Sequence, residues 1–309
     1  MANEKKARRI IWAIDPFESH KETREAIIGF LRLLSERYDA HIEPVYVFSP
    51  ESFNLPIQLS DPWHRQYEPE LKKALDYALK DAGTLVEKPK IIRQKSRSLR
   101  AVIDTLLQHA HDEGADLIVT GTHGRSGLDR FLVGSFAETL LLQSKLPVLV
   151  IHPHWKPKPI EKILFPTDFS KSSKDTLKRV IDIALAWDAE LIIYHTIERP
   201  IDPVFQSGLY LMGGGWVPLD EFLGAARNKG SQLLTEYRKI AESAGVKVQT
   251  SLDSSAPSVT GSIREIAAKE NVSLIALEAR SGAAKSALLG SISRQIVREA
   301  SSLVWVLRD

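Results

Sequence analysis

The chain has 309 residues, enough for two domains of ordinary size with a core each. A formal charge of +2, from 41 basic and 39 acidic residues, supplies no basic field to favour nucleic acid, and the absence of cysteine excludes disulfides, thiol catalysis and Cys-ligated metal. The charged start, 1–9, runs straight into an apolar stretch of about seven residues, far short of a secretory core or a membrane span, so a soluble cytoplasmic protein with no membrane partner is expected.

Residues 9–15, Arg9-Ile10-Ile11-Trp12-Ala13-Ile14-Asp15, form a near-continuous apolar run ending in an acid, the pattern of a central parallel strand buried on both faces. Asp15 stands at its carboxyl end, where ligands bind in open parallel sheets, so it is a candidate for a ribose hydroxyl; capping of the next helix is the competing role. Apolar residues at 26, 27, 30, 31, 33 and 34 predict a helix over 21–38. Residues 41–48 read as a second strand, in which Pro44 requires a stretch of backbone with no ladder donor. The proline-, serine- and asparagine-containing segment 49–64 reads as a long loop over the ligand side. Helix 70–86, strand 90–95 and helix 99–111 follow. His109 and His111 are two apart, a spacing that does not put both on one helix face as metal ligands.

The most informative stretch is 117–138. Leu117-Ile118-Val119-Thr120 ends in a loop carrying Gly121, Gly124 and Gly134 with Arg125 and Arg130, and the loop feeds a helix. Ser135 and Glu138 have the spacing of a capping box, which sets the helix start, and the free N–H groups there suit an anion. Loop composition alone admits two readings: a nucleotide phosphate site, or a tight strand-to-helix connection whose glycines serve turn geometry and whose arginines are solvated. Arginine forks suit phosphate oxygens, whereas His123 has no partner in sequence that would make it a general acid. The stretch is neither a P-loop nor the short dinucleotide fingerprint. Residues 147–151 read as a fifth, wholly apolar strand.

The proline-rich segment 152–159 reads as a linker, and its His152 and His154 as solvated residues rather than a metal pair. The same programme then repeats: strand 162–170 ending around Asp168, helix 173–186, strand 190–197, helix 219–244, strand 247–252, helix 263–270, strand 272–279, helix 290–300 and strand 303–307. An internal duplication is the simplest account, and alternating strands and helices imply an α/β fold with a parallel sheet, right-handed crossovers and helices on both faces of each half. The expected bounds are 1–153 and 161–309, joined by a linker over 154–160. The segment 204–218 is too glycine-rich for a regular element and too apolar for a solvated loop; it either packs over the second sheet's edge or contacts the other half or another chain, and burial within the molecule is favoured.

The spacing Gly121-x2-Gly124-x9-Gly134-Ser135, after a strand and before a helix, resembles the ATP-binding pattern of the universal stress protein family, and the resemblance covers nearly the whole chain as two tandem copies. It implies two Rossmann-like (adenine nucleotide alpha hydrolase-like) domains, each a five-stranded parallel sheet of order 3-2-1-4-5 with helices on both faces. It further implies ATP, with any magnesium the nucleotide brings, at the carboxyl edge of the first sheet. Carried over residue by residue, Ala13 and Asp15 end the first strand with Asp15 on the ribose, and Val47 offers backbone to adenine. Thr120, Gly121 and Gly124 line ribose and phosphates, Gly134, Ser135 and Phe136 bind phosphates, and His123, Arg125 and Arg130 lie beside them. Aligning Gly290-Ser291 with Gly134-Ser135 sets Leu277 opposite Gly121 and Arg280 opposite Gly124, so the second site is expected to be degenerate although Asp168 and Thr196 are retained.

The resemblance also implies pairing of the apolar fifth strands, here 148–151 with 303–307 inside one chain, and is compatible with a further homodimer. The expected function is a cytoplasmic, ATP-binding stress-response regulator acting through occupancy. Two alternatives are a slow ATPase or nucleotidyl-transfer enzyme on the same fold and a nucleotide-free interaction scaffold. No catalytic or metal-ligating residue is assigned beside the loop.

Overall fold

The computed structural model describes residues 7–18, 20–49, 62–122, 134–153, 155–197, 208–210, 216–254, 258–279 and 290–308. The chain divides into two units between Lys158 and Pro159.

In unit 1 the elements are β1 (Ala7–Ala13), α1 (Lys21–Arg37), β2 (Asp39–Phe48), α2 (Pro62–Leu79), β3 (Lys90–Arg93), α3 (Leu99–Asp112), β4 (Leu117–Gly121), α4 (Ser135–Gln143) and β5 (Val148–Ile151). All pairings are parallel and the order is β3-β2-β1-β4-β5. Consecutive residues Ile10, Ile11 and Trp12 are each 1% exposed or less, as a strand covered on both faces must be. Pro44 sits one residue before the ladder with β3 begins at Val45–Lys90, so its missing donor costs no pairing. On α1 the buried set Ala26, Ile27, Phe30, Leu31 and Leu34 is the helical stripe read from sequence.

Unit 2 has β6 (Lys162–Pro166), α5 (Lys171–Trp187), β7 (Glu190–Thr196), β8 (Gly208–Tyr210), β9 (Trp216–Pro218), α6 (Leu219–Ser243), β10 (Val248–Asp253), α7 (Val259–Lys269), β11 (Leu274–Glu278), α8 (Ser291–Glu299) and β12 (Leu303–Leu307). Its parallel sheet runs β10-β7-β6-β11-β12, the same 3-2-1-4-5 order. The start of α5 is fixed by Ser170, whose Oγ accepts the Ser173 N–H at 3.2 Å.

Two local expectations are corrected. Helix α2 starts at Pro62 rather than at residue 70 and ends at Leu79, with only a short 3-10 turn over Gly83–Leu85 beyond it. Pro69 lies inside it, although proline in sequence reads as a first-turn residue. The segment 204–218 contains regular structure after all: β8 and β9 pair antiparallel, Leu209 against Val217. Of the long loop expected over 49–64, residues 50–61 lie outside the described residues.

The stretch after β5 is not a solvated linker throughout. Trp155 is 6% exposed and packs edge-on against Phe30, and His152 is buried as well. A Cβ on Gly29 would come within 2.2 Å of Pro157 Cγ, so α1 needs a glycine where this segment crosses it. Gly29→Ala is therefore expected to destabilise unit 1 by about 1–3 kcal/mol despite the better helix propensity of alanine, because a rigid proline ring has to move. Denaturant unfolding checks this, and a stabilised variant would show that the segment gives way freely.

Candidate functional site

The carboxyl ends of β1, β2 and β4 and the start of α4 enclose a cavity of about 450 Å³ in unit 1. Ala13, Asp15, Val47, Thr120, Gly121 and the first residues of α4 from Gly134 to Phe136 all line it, so the described part of the candidate set is brought together around one space. His123, Gly124, Arg125 and Arg130 lie outside the described residues.

Each wall has its own chemistry. Ile27, Val45, Val47, Leu99, Val102 and Leu106 give an apolar slot of the sort that takes a flat ring. Asp15 stands at the lip, its Oδ1 accepting the Phe17 N–H at 3.0 Å, so the turn after β1 holds the carboxylate in place. The turn role and a ligand role are thus compatible in one residue. At the far side, Gly134 donates its N–H to Thr122 O at 2.5 Å and is itself the N-cap of α4, with φ −59° and ψ 148°. The capping box expected of Ser135 and Glu138 does not form, because Ser135 is already the first helical residue and Glu138 N–H bonds to Gly134 O at 3.1 Å. The helix start is thus left without a side-chain cap. Its first N–H groups face no intrahelical acceptor, and with the macrodipole they favour an anion.

The lining includes residues that sequence reasoning did not single out, among them Glu18, Thr23, Arg24 and the α3 wall of Leu99, Val102 and Leu106. Thr23 and Arg24 read in sequence as ordinary first-turn residues of an amphipathic helix, and only comparison of the two helix starts would have singled them out.

His109 is placed elsewhere. Its Nε2 lies 2.9 Å from Glu43 Oε2, and Glu43 also faces Arg9, which reaches Glu87 and Glu113, near the amino end of β1. The histidine therefore belongs to a structural ion network. Among the described residues no group of three or more His, Asp and Glu is placed to hold a metal.

The registers of the two units correct the alignment of their loops. Leu117 pairs with Ile10 as Leu274 pairs with Ile163, and Gly121 with Ile151 as Glu278 with Leu307. The next N–H groups repeat the match: Thr122 N–H reaches Ile151 O at 3.1 Å, and Ala279 N–H reaches Leu307 O at 3.0 Å. Glu278, not Leu277, is the counterpart of Gly121. Alignment on Gly-Ser missed this because the second loop, 280–289, is one residue shorter than the first, 123–133.

The Glu278 side chain is 8% exposed and its Oε2 lies 2.8 Å from Ser173 Oγ, which is also 2.7 Å from Asp168 Oδ1. Asp168 accepts the Ser170 N–H at 2.9 Å, repeating the Asp15 turn. Phe169, in the left-handed region at φ 59°, has its ring centroid 4.5 Å from that of His195 in a tilted contact and 5.2 Å from that of Tyr237 edge-on. His195 Nδ1 lies 2.8 Å from Thr167 O, and Thr196, the last residue of β7, is partly exposed. Tyr237 is 3% exposed, and burial pushes its hydroxyl up to about 12. In unit 2 the corresponding edge carries the carboxylates of Asp168 and Glu278 and the rings of Phe169, His195 and Tyr237.

Two tandem parallel sheets of 3-2-1-4-5 order flanked by helices define the chain as a pair of Rossmann-like α/β units. The sequence pattern described as the universal stress protein family matches residues 6–152 and again 159–308, so the chain belongs to that family, as two copies. It is 30% identical over 150 residues to a universal stress protein of Methanocaldococcus jannaschii, covering 48% of this chain and 82% of that protein. Among solved structures it is similar to a universal stress protein from Archaeoglobus fulgidus, with a TM-score of 0.63 at 17% identity over 97% of this chain and 96% of the other. A putative universal stress protein from Pseudomonas aeruginosa gives 0.59 at 14% identity over 98% and 93%. At these identities the structures establish the shared tandem fold. Among the described residues no helix is long and apolar enough to cross a membrane.

Proposed function

We propose that the protein is a cytoplasmic stress-response regulator that holds ATP, with the magnesium the nucleotide carries, in unit 1 and acts through occupancy rather than turnover. The observation that carries this reading is the cavity of about 450 Å³, which joins an apolar slot, an acid at the end of β1 and the uncapped start of α4. The adenine takes the slot against Val47, the ribose meets Asp15, and the phosphates meet Gly134, Ser135 and Phe136. Gly121 keeps the strand end low enough for the sugar to pass. His123, Gly124, Arg125 and Arg130 complete the phosphate side of the proposal. Occupancy matters to such a regulator through a difference in affinity between two states.

Mass spectrometry of small molecules released from the freshly purified, denatured chain, followed by titration with ATP and magnesium, tests the reading. One adenine nucleotide per chain is expected. A lipid or other apolar compound, or no uptake of ATP in the titration, would overturn it. Phosphate release abolished by Gly124→Leu would mark the enzyme reading instead.

The proposal includes pairing of the two units through β5 and β12, each an apolar edge strand of its own sheet. The chain is free of cysteine, so one cysteine placed in each strand reports on this directly. An intrachain disulfide is expected. Bridges formed only between chains would assign the edges to a homodimer.

A further inference from the structure

The two units carry matching helices after their first strands. Helices α1 and α5 each span 17 residues, and aligning their starts puts Thr23 opposite Ser173 and Arg24 opposite Lys174. In unit 2 both counterparts meet an acid of the chain itself: Ser173 Oγ lies 2.8 Å from Glu278 Oε2, and Lys174 Nζ lies 2.7 Å from Glu236 Oε1.

In unit 1 neither does so among the described residues. Thr23 is 1% exposed, and its hydroxyl has no hydrogen-bond partner among the described residues. Arg24 is 9% exposed and its guanidinium lies over the Tyr77 ring, 5.0 Å from the centroid, with no carboxylate partner among the described residues. Both residues line the cavity. A largely buried arginine with no carboxylate partner among the described residues, beside a buried hydroxyl with no acceptor among them, is costly unless something else supplies the anion.

A steric exchange shows where that anion goes. A Cβ on Gly121 would come within 3.1 Å of Thr23 Cγ2 and 3.4 Å of Ile27 Cδ1, so a side chain at 121 crowds the threonine methyl and glycine fits beside it without displacement. In unit 2 serine lacks that methyl group, and the side chain of Glu278 reaches the hydroxyl instead. The pairs Gly121 with Thr23 and Glu278 with Ser173 are alternative fillings of one place. One filling brings its own negative charge and the other leaves it to be supplied.

We propose that the first turn of α1 is an anion-binding wall, in which Thr23 donates its hydroxyl and Arg24 its guanidinium to a phosphoryl group that takes the place of the Glu278 carboxylate. The assignment of that group to a nucleotide rests on the function proposed above; the wall itself does not. The N-cap of α1, His20, makes no side-chain cap bond, so the dipole of this turn adds to the same field.

The test titrates ATP, adenosine and inorganic pyrophosphate against the full chain and its Arg24→Leu, Thr23→Val and Thr23→Ser variants. Arg24→Leu is expected to weaken ATP and pyrophosphate by about tenfold or more and to leave adenosine within about twofold. Thr23→Val follows the same pattern with a smaller loss, and Thr23→Ser retains binding. Equal losses for adenosine, or no loss for ATP, would overturn the wall. Uptake of pyrophosphate but not ATP by the parent chain would keep the wall and remove the nucleotide reading, whereas uptake of neither removes both. Copying unit 2 by Gly121→Glu with Thr23→Ser guards against a misfolded variant: the pair is expected to preserve the melting temperature and abolish ATP binding, and unchanged ATP binding would also overturn the wall.

Discussion

Replacing Gly134 by aspartate is expected to weaken ATP at least about tenfold, or ~1.4 kcal/mol, without loss of stability. Gly134 has an extended backbone at φ −59° and ψ 148°, which any side-chain-bearing residue adopts without strain. Aspartate is among the preferred residues at this N-cap position, where its carboxylate accepts the N–H groups of the first helical turn. Those N–H groups are the ones proposed to meet the phosphates, so helix and ligand compete for the same donors and two negative charges crowd one place. The loss should appear with ATP and be absent with adenosine. Calorimetric titration paired with thermal melting checks both halves of the expectation, and undiminished ATP affinity in a folded variant would remove the phosphate assignment.

The second large effect lies in unit 2 at alkaline pH. Burial holds the Tyr237 hydroxyl up to about 12 against 10.0 for a free tyrosine, with the nearby acids Asp168 and Glu278 adding to burial and a bond with Thr167 opposing it. Between those two values the unfolded chain has lost the proton that the folded chain retains, so stability falls as pH rises. The contribution is complete below pH 10 and gone above pH 12, and amounts to roughly 2–3 kcal/mol. Burial raises Tyr194 in the same direction. Tyr237→Phe should remove its share of the slope. Denaturant midpoints for both chains on either side of the window decide it, and parallel losses in the two would refute the assignment.

Much of the fold was legible because its strands are buried on both faces, so 9–15, 147–151 and 303–307 announce themselves as apolar runs. Duplication and helix stripes did the rest. What sequence misjudged were features that depend on register or on a choice between neighbours. Ser135 has the chemistry of a cap, but Gly134 ahead of it takes the extended backbone that makes a cap, and the capping box slips by one. Helix α2 was expected from residue 70, yet it begins at Pro62 and runs for seven residues before Pro69, which it contains. Glu278 was misaligned because a Gly-Ser anchor carries no information about a deletion inside the loop, whereas ladder pairing does. Gly121 and Gly134 were legible as the glycines flanking the loop, and both line the cavity. Thr23 and Arg24 were not legible because nothing in an amphipathic first turn marks a residue as lining a cavity.

The exchange of Gly121 with Thr23 for Glu278 with Ser173 has a consequence for dose response. Under the function proposed above, a unit 2 edge that carries its own carboxylate leaves unit 1 as the nucleotide site, so a single chain is expected to fill along a simple hyperbola and to report concentration in a graded way. Any steepness beyond that would have to come from separate molecules associating.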